Sequence, residues 1–294
     1  MLVALAAGLA AAANDHESER RREADPGLLE RLAVEENTDK QRGMHKFTDV
    51  YSSLFDGYRH RIRNFTEVGV LGGGSIRMWL RYFPMAHIYG LDESFRFWRP
   101  ESNSSKPHGK PAVVPNLSKK AYAHRLSLLR CCDEQLHTPA EAGLAKESMD
   151  VILEDAGDHT RRLQERLFAM LWPMVRPGGW YLIEDVDPQR GGLAYTEDHD
   201  AIDKTLRNAL ETNPAFIVDA TVGITPERWK EWQANVTNGG RMVGSRKPGP
   251  SWVKDRRTHN SHVLVIRKLP ARQRAARESI LESRHSAYDS ERSE

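Results

Sequence analysis

Between residues 47 and 269 the apolar positions change period repeatedly, and that alternation carries most of the fold information. "FTDVYSSLFDGYRHRI" spaces Phe47, Tyr51, Leu54 and Tyr58 about one turn apart, which predicts an amphipathic helix leading into a first strand. Strands are then expected at "FTEVGVL", "AHIYGLD", "RLSLLRCCD", "MDVILED" and "GGWYLIEDV", with helices at "SIRMWLRYF" and "RRLQERLFAMLWPMV". Strands this apolar, alternating with helices, predict an α/β protein whose mostly parallel sheet is covered on both faces. After a helix at "DAIDKTLRNALET", the strands "PAFIVDATV" and "SHVLVIRKL" follow with no helix between them. They should pair antiparallel, completing seven strands.

The flanks read differently. Residues 1–44 are expected to be a leader, apolar at first and then charged, with one short helix at "LLERLAV"; the packed domain spans 45–270, and 271–294 form a charged tail. "ESNSSKPHGKPAVVPNLSKK", residues 101–120, is a polar insertion whose prolines deny it a regular helix.

Chemistry-bearing residues fall at the expected strand ends. "EVGVLGGGS" joins the first strand to its helix, where Gly69 and Gly73 let backbone amides approach a ligand, and Glu67 and Ser75 flank the turn. A pyrophosphate-binding G-x-G-x-x-G run would need glycine where Arg77 stands, which disfavours a nicotinamide dinucleotide. Asp92 closes the second strand and is placed to accept from a ribose diol, while Asp133 closes the third and faces an adenine position. "VILEDAGDHT" ends the fourth strand with Asp155, Asp158 and His159; "IEDV" ends the fifth with Glu184 and Asp185.

Composition narrows the function classes. With 43 basic and 41 acidic residues and a formal charge of +2, the 294-residue chain carries no broad field for nucleic acid, although residues 59–63 and 244–257 are locally basic. Cys131 and Cys132 are its two cysteines; as chain neighbours they are poorly placed to bridge each other or to close a zinc site, so no disulfide scaffold is expected. "MLVALAAGLAAAAND" has the small and apolar residues of a secretory signal but no basic flank, and it is too short to span a bilayer. A cytoplasmic location is expected. Asn64, Asn103, Asn116 and Asn235, each opening an N-x-S/T triplet, keep an endomembrane lumen or secretion as the alternative.

The Glu67-x-Gly69-x-x-x-Gly73 run, the acid closing the second strand and "VRPGGWYLIEDV" together resemble a class I S-adenosylmethionine-dependent methyltransferase, a Rossmann-like fold. A narrower resemblance rests on "NTDKQRGMHKFTDVY", "EVGVLGGGSIRMWLRYFPMAHIYGLD", "CDEQ", "ILEDAGDH" and "RPGGWYLIEDV". In that order they are similar to the metal-dependent sugar O-methyltransferases of macrolide biosynthesis. The resemblance implies S-adenosylmethionine held by the glycine loop, Asp92 and Asp133, with Lys40 meeting its methionyl carboxylate. It implies Mg²⁺ on Asp155, Glu184 and Asp185, His159 as the base, and a sugar-like hydroxyl acceptor. A homo-oligomer is a further implication.

Hard carboxylate oxygens suit a hard cation that keeps positions open for a diol, and histidine titrates nearest neutrality. The sequence departs from the family at one point: His159 stands four residues beyond Asp155 where the family has three. Either Gly157 absorbs the extra residue in a wider loop, or Asp158 takes a metal role, or His159 points elsewhere. Gln189, Arg190 and Tyr195 are candidates for shaping the acceptor pocket. The rival readings are another small acceptor such as a catechol, acid or amine, a hydroxylase-like relative, and a cofactor-binding protein without catalysis.

Overall fold

The computed structural model describes residues 25, 27–93, 95, 123–132, 138–157, 159–186, 203–220 and 262–279. The insertion at 101–120, Asp133, Asp158, and the acceptor candidates Gln189, Arg190 and Tyr195 lie outside the described residues. In chain order the elements are α1 (Leu28–Glu35), α2 (Phe47–Phe55), β1 (Asn64–Val68), α3 (Gly74–Tyr82), β2 (His87–Asp92), β3 (Leu126–Arg130), β4 (Met149–Glu154), α4 (Arg161–Leu171), β5 (Val175–Ile183), α5 (Lys204–Thr212), β6 (Ala215–Asp219) and β7 (His262–Arg267). A last helix, α6, covers 271–279.

The strands form one seven-stranded sheet in the order β3-β2-β1-β4-β5-β7-β6. β1 to β5 are mutually parallel, and β7 runs antiparallel to both β5 and β6. This is the mostly parallel seven-stranded α/β sheet, with an antiparallel last strand, expected from the alternation of apolar periods. β1 and β4 are neighbours although β2 and β3 intervene in sequence, so the winding direction reverses between them. Open α/β sheets bind ligands at the carboxyl end of that reversal.

Side chains along each central strand alternate between two cores, as a strand buried on both faces requires. Val151 and Leu153 of β4 enter one core with Trp180 and Leu182 of β5; Ile152, Tyr181 and Ile183 enter the other. The first core is aromatic: the Trp79 ring lies 4.8 Å from Phe65 and 5.6 Å from Phe83. Helix α3 therefore serves as the packing face that its apolar spacing predicted. It stops before Pro84, and Arg125 donates to the carbonyls of Leu80, Phe83 and Ala86, supplying partners where the helix leaves them without.

Asp150 fastens the opposite end of the sheet. Its Oδ2 accepts from the amides of Arg63 and Asn64, and its Oδ1 accepts from the Arg176 guanidinium, so β1, β4 and β5 are tied at their entry ends.

Two expectations are corrected. The packed body begins by Leu28 rather than near His45, because Leu29, Leu32 and Ala33 of α1 are buried in the aromatic core. The dense surrounding charge concealed that apolar stripe. Cys131 and Cys132 are joined by a bridge, with Cys132 in the left-handed backbone region at φ 71°. A bridge between chain neighbours closes only the smallest possible ring, so it constrains the unfolded chain little and builds no scaffold. Among the described residues no helix is long and apolar enough to cross a membrane.

Glu154, the last residue of β4, is fully buried, and burial pushes its carboxyl up to about 8, with Asp155 and Asp185 adding to the rise. Among the described residues, its Oε1 accepts only a long bond from the Ala156 amide. A carboxyl raised above its unfolded value of 4.5 stabilises the fold fully below that value. The contribution is lost as pH climbs toward 8, by at most roughly 1.4 kcal/mol per pH unit. Glu154→Gln removes this dependence, so the variant gains on the parent as pH rises. Denaturant melts at about pH 5 and about pH 9 check it; a difference between the two proteins that stays constant with pH contradicts a proton held on Glu154.

Candidate active site

The carboxyl ends of β1, β4 and β5 converge on one buried cation. Lys40, on the strap between α1 and α2, is only 1% exposed. Its Nζ donates to Asp155 Oδ2 at 2.6 Å and to Glu184 Oε2 at 2.7 Å, and lies 3.5 Å from Glu67 Oε1. Burial opposes the charge on this ammonium, but Asp155, Glu184 and Glu67 outweigh it and hold Lys40 well above the ordinary lysine value. The resemblance implies that Lys40 meets the methionyl carboxylate of a cofactor; here its ammonium is enclosed by carboxylates of the protein itself.

The strap is anchored so that Lys40 reaches this point. Glu36 accepts from both Arg77 and Arg81 of α3, at 3.0 and 2.8 Å, and Arg77 also donates to the Gly72 carbonyl. The arginine that broke the dinucleotide pattern thus clamps the strap to the glycine loop. Gly74 permits this approach, since a Cβ there would lie 3.0 Å from the Glu36 carbonyl oxygen.

Glu67 and Ser75 face one another across the glycine turn, with Ser75 Oγ donating to Glu67 Oε2 at 2.8 Å. Burial pushes Glu67 up to about 7, against the pull of Lys40. Gly69 is required on two grounds: its φ is 89°, and a Cβ would lie 2.0 Å from the Asp155 carbonyl oxygen. Gly73, at φ 79°, precedes α3 and completes the turn. Asp92 has one carboxylate oxygen on the Val70 amide at 3.0 Å and the other on the Phe95 amide at 3.1 Å. It therefore braces the glycine loop from the end of β2, where a ribose was expected to meet it.

The proposed metal acids separate into two groups. Glu184 spends its second oxygen on the Tyr51 hydroxyl and is fully buried. Asp185 adopts φ 53°, which turns its carboxylate to the other side, where Oδ2 lies 3.4 Å from His159 Nε2 and Oδ1 lies 3.8 Å from His45 Nδ1. His159, at φ 54°, reaches back to Asp155 Oδ1 at 4.0 Å, so the wider loop returns the imidazole to the acids. One donor atom from each of Asp155, His159 and Asp185 lies within 4.8 Å of the others. Left-handed backbone at two non-glycine residues facing each other is costly, and such strain gathers at functional sites.

The structure thus brings Lys40, Glu67, Ser75, Asp155, His159, Glu184 and Asp185 to one edge, and keeps Asp92 beside the glycine turn. Sequence reading missed His45 entirely, for lack of any strand-end signal. The Glu36–Arg77 clamp was equally hidden, since Glu36 reads as part of a charged leader and Arg77 only as a break in a glycine pattern.

No protein-family model matches the chain. It is 30% identical over 180 residues to the 8-demethyl-8-(2-methoxy-alpha-L-rhamnosyl)-tetracenomycin-C 3'-O-methyltransferase of Streptomyces olivaceus, covering 58% of this chain and 40% of that protein. It is 29% identical over 167 residues to the mycinamicin VI 2''-O-methyltransferase of Micromonospora griseorubida, covering 54% and 36%. Among solved structures, the MycE methyltransferase in complex with Mg, SAH and mycinamycin VI aligns over 84% of this chain and 54% of its own, at 24% identity and a TM-score of 0.45. The chain spans about 40% or less of the length of these curated relatives. Over more than half of its own residues, it is similar in sequence to O-methyltransferases of sugar-bearing natural products.

Proposed function

We propose that this protein is an S-adenosylmethionine-dependent O-methyltransferase acting on a hydroxyl of a sugar, glycoside or similar vicinal diol, with a divalent ion, probed first as Mg²⁺, assisting. The observation that carries this reading is the convergence of Asp155, His159 and Asp185 at the β4 and β5 ends, directly beside the β1 glycine turn. Similarity to methyltransferases of rhamnosyl and mycinamicin substrates supports the acceptor class.

The donor set fits a hard cation, since Asp155 and Asp185 offer carboxylate oxygens at an edge that remains partly open. These two residues would hold the ion, which when bound supplies charge that acidifies a coordinated hydroxyl and orients a diol. The glycine turn at Gly69 and Gly73, braced by Asp92 and the Glu67–Ser75 pair, would seat S-adenosylmethionine, whose sulfonium supplies the methyl group and the driving force.

His159 takes the hydroxyl proton in this reading. Its Nε2 lies 3.4 Å from Asp185 Oδ2 and 4.0 Å from Asp155 Oδ1, so this nitrogen faces the edge where the acceptor hydroxyl would be held. The Nε2 lone pair accepts the acceptor's O–H proton as the oxygen–methyl bond forms and the methyl–sulfur bond breaks. The protein's remaining work is alignment and exclusion of water around the reacting atoms.

Methyl transfer from labelled S-adenosylmethionine to a panel of rhamnosides, other glycosides and catechols tests the function. We expect turnover on glycosides that stops with EDTA and returns with Mg²⁺; turnover untouched by chelation rules out the metal-assisted mechanism. His159→Ala is expected to lower kcat by about 100-fold or more, with S-adenosylhomocysteine affinity by calorimetry unchanged within about twofold. Full activity in that variant would remove His159 from the chemistry.

A further inference from the structure

The four acids at this edge do not serve one cation. Glu184 has one oxygen on the Lys40 ammonium and the other on the Tyr51 hydroxyl, and it is sealed from solvent. Asp185, its neighbour in sequence, is turned away by its left-handed backbone toward His159 and His45. Asp155 stands between the two, with Oδ2 on Lys40 and Oδ1 facing His159. An ammonium therefore already occupies the space between Asp155 and Glu184 that a divalent ion bound by both would need.

We propose that Lys40 is a built-in cation that withholds Glu184 from the metal, leaving Asp155 and Asp185 as the carboxylate pair and lowering divalent-ion affinity. The inference rests on the metal-assisted reading above and adds a residue that sets its strength. The physical basis is direct. A buried ammonium within a few ångströms of the ion repels it, and it also consumes an oxygen of Asp155 and of Glu184. In return, the ammonium lets the acidic edge assemble without metal, because Glu67, Asp155 and Glu184 would otherwise crowd together with little compensating charge. Replacing the ammonium by the uncharged, similarly long side chain of methionine removes the repulsion and releases Glu184 as a third ligand.

Titration of the full chain with Mn²⁺, followed by electron paramagnetic resonance and calorimetry in the presence of S-adenosylhomocysteine, tests this without reference to turnover. We expect Glu184→Gln to bind Mn²⁺ within about twofold of wild type, and Asp185→Asn to bind roughly tenfold or more weakly. Lys40→Met is expected to bind roughly tenfold more tightly, and the gain should vanish in Lys40→Met combined with Glu184→Gln. Weakening by Glu184→Gln equal to that by Asp185→Asn overturns the proposal, as does Lys40→Met affinity that is unchanged or lower. The Glu184→Gln and Asp185→Asn comparison decides the matter even where Lys40→Met does not fold. Absence of Mn²⁺ binding in every protein overturns the metal-assisted reading itself, which distinguishes that failure from the failure of Lys40's role.

Discussion

A lysine ammonium buried among carboxylates is the interaction on which the arrangement of this edge depends. Three acids from three strand ends crowd together in a dry environment, which disfavours their charged forms, and Lys40 supplies compensating positive charge from outside the sheet. The lysine is held there by a chain of local constraints. Glu36 is clamped by Arg77 and Arg81, α1 is buried in the aromatic core, and Gly74 lets the strap backbone lie against the start of α3. The segment before the first strand is therefore part of the site.

The same constraint explains how neighbouring residues come to differ in environment. Glu184 and Asp185 adjoin in sequence, yet one is sealed against Lys40 and Tyr51 while the other meets two imidazoles. The reversal at φ 53° of Asp185 produces the difference, and its partner His159 carries an equivalent distortion. A fixed internal cation thus lies on one side of Asp155, and the Asp185 carboxylate with His159 on the other.

The sheet was largely legible from sequence because its strands are apolar on both faces and end in acids, two signals that period and position carry together. The helix expected at 75–83 and the antiparallel pairing of β6 and β7 followed from that reasoning, whereas the grouping of Asp155, Glu184, Asp185 and His159 came from the family resemblance. What failed was anything decided by distant charge pairing. The resemblance assigns Lys40 to a cofactor carboxylate because sequence cannot show that three carboxylates of the protein lie within reach, and α1 reads as leader because its stripe is embedded among Glu and Arg. The one-residue shift before His159 left the direction of its side chain open on spacing alone. Gly157 at φ 68° and His159 at φ 54° absorb it by loop geometry that no period encodes.

The most direct test is crystallographic: the full chain with S-adenosylhomocysteine, soaked in Mn²⁺ and measured at the manganese absorption edge. An anomalous peak between Asp155 and Asp185, with the Lys40 ammonium still on Glu184, is the result expected. A peak bounded by the Glu184 carboxylate, with Lys40 displaced from the acids, would contradict it.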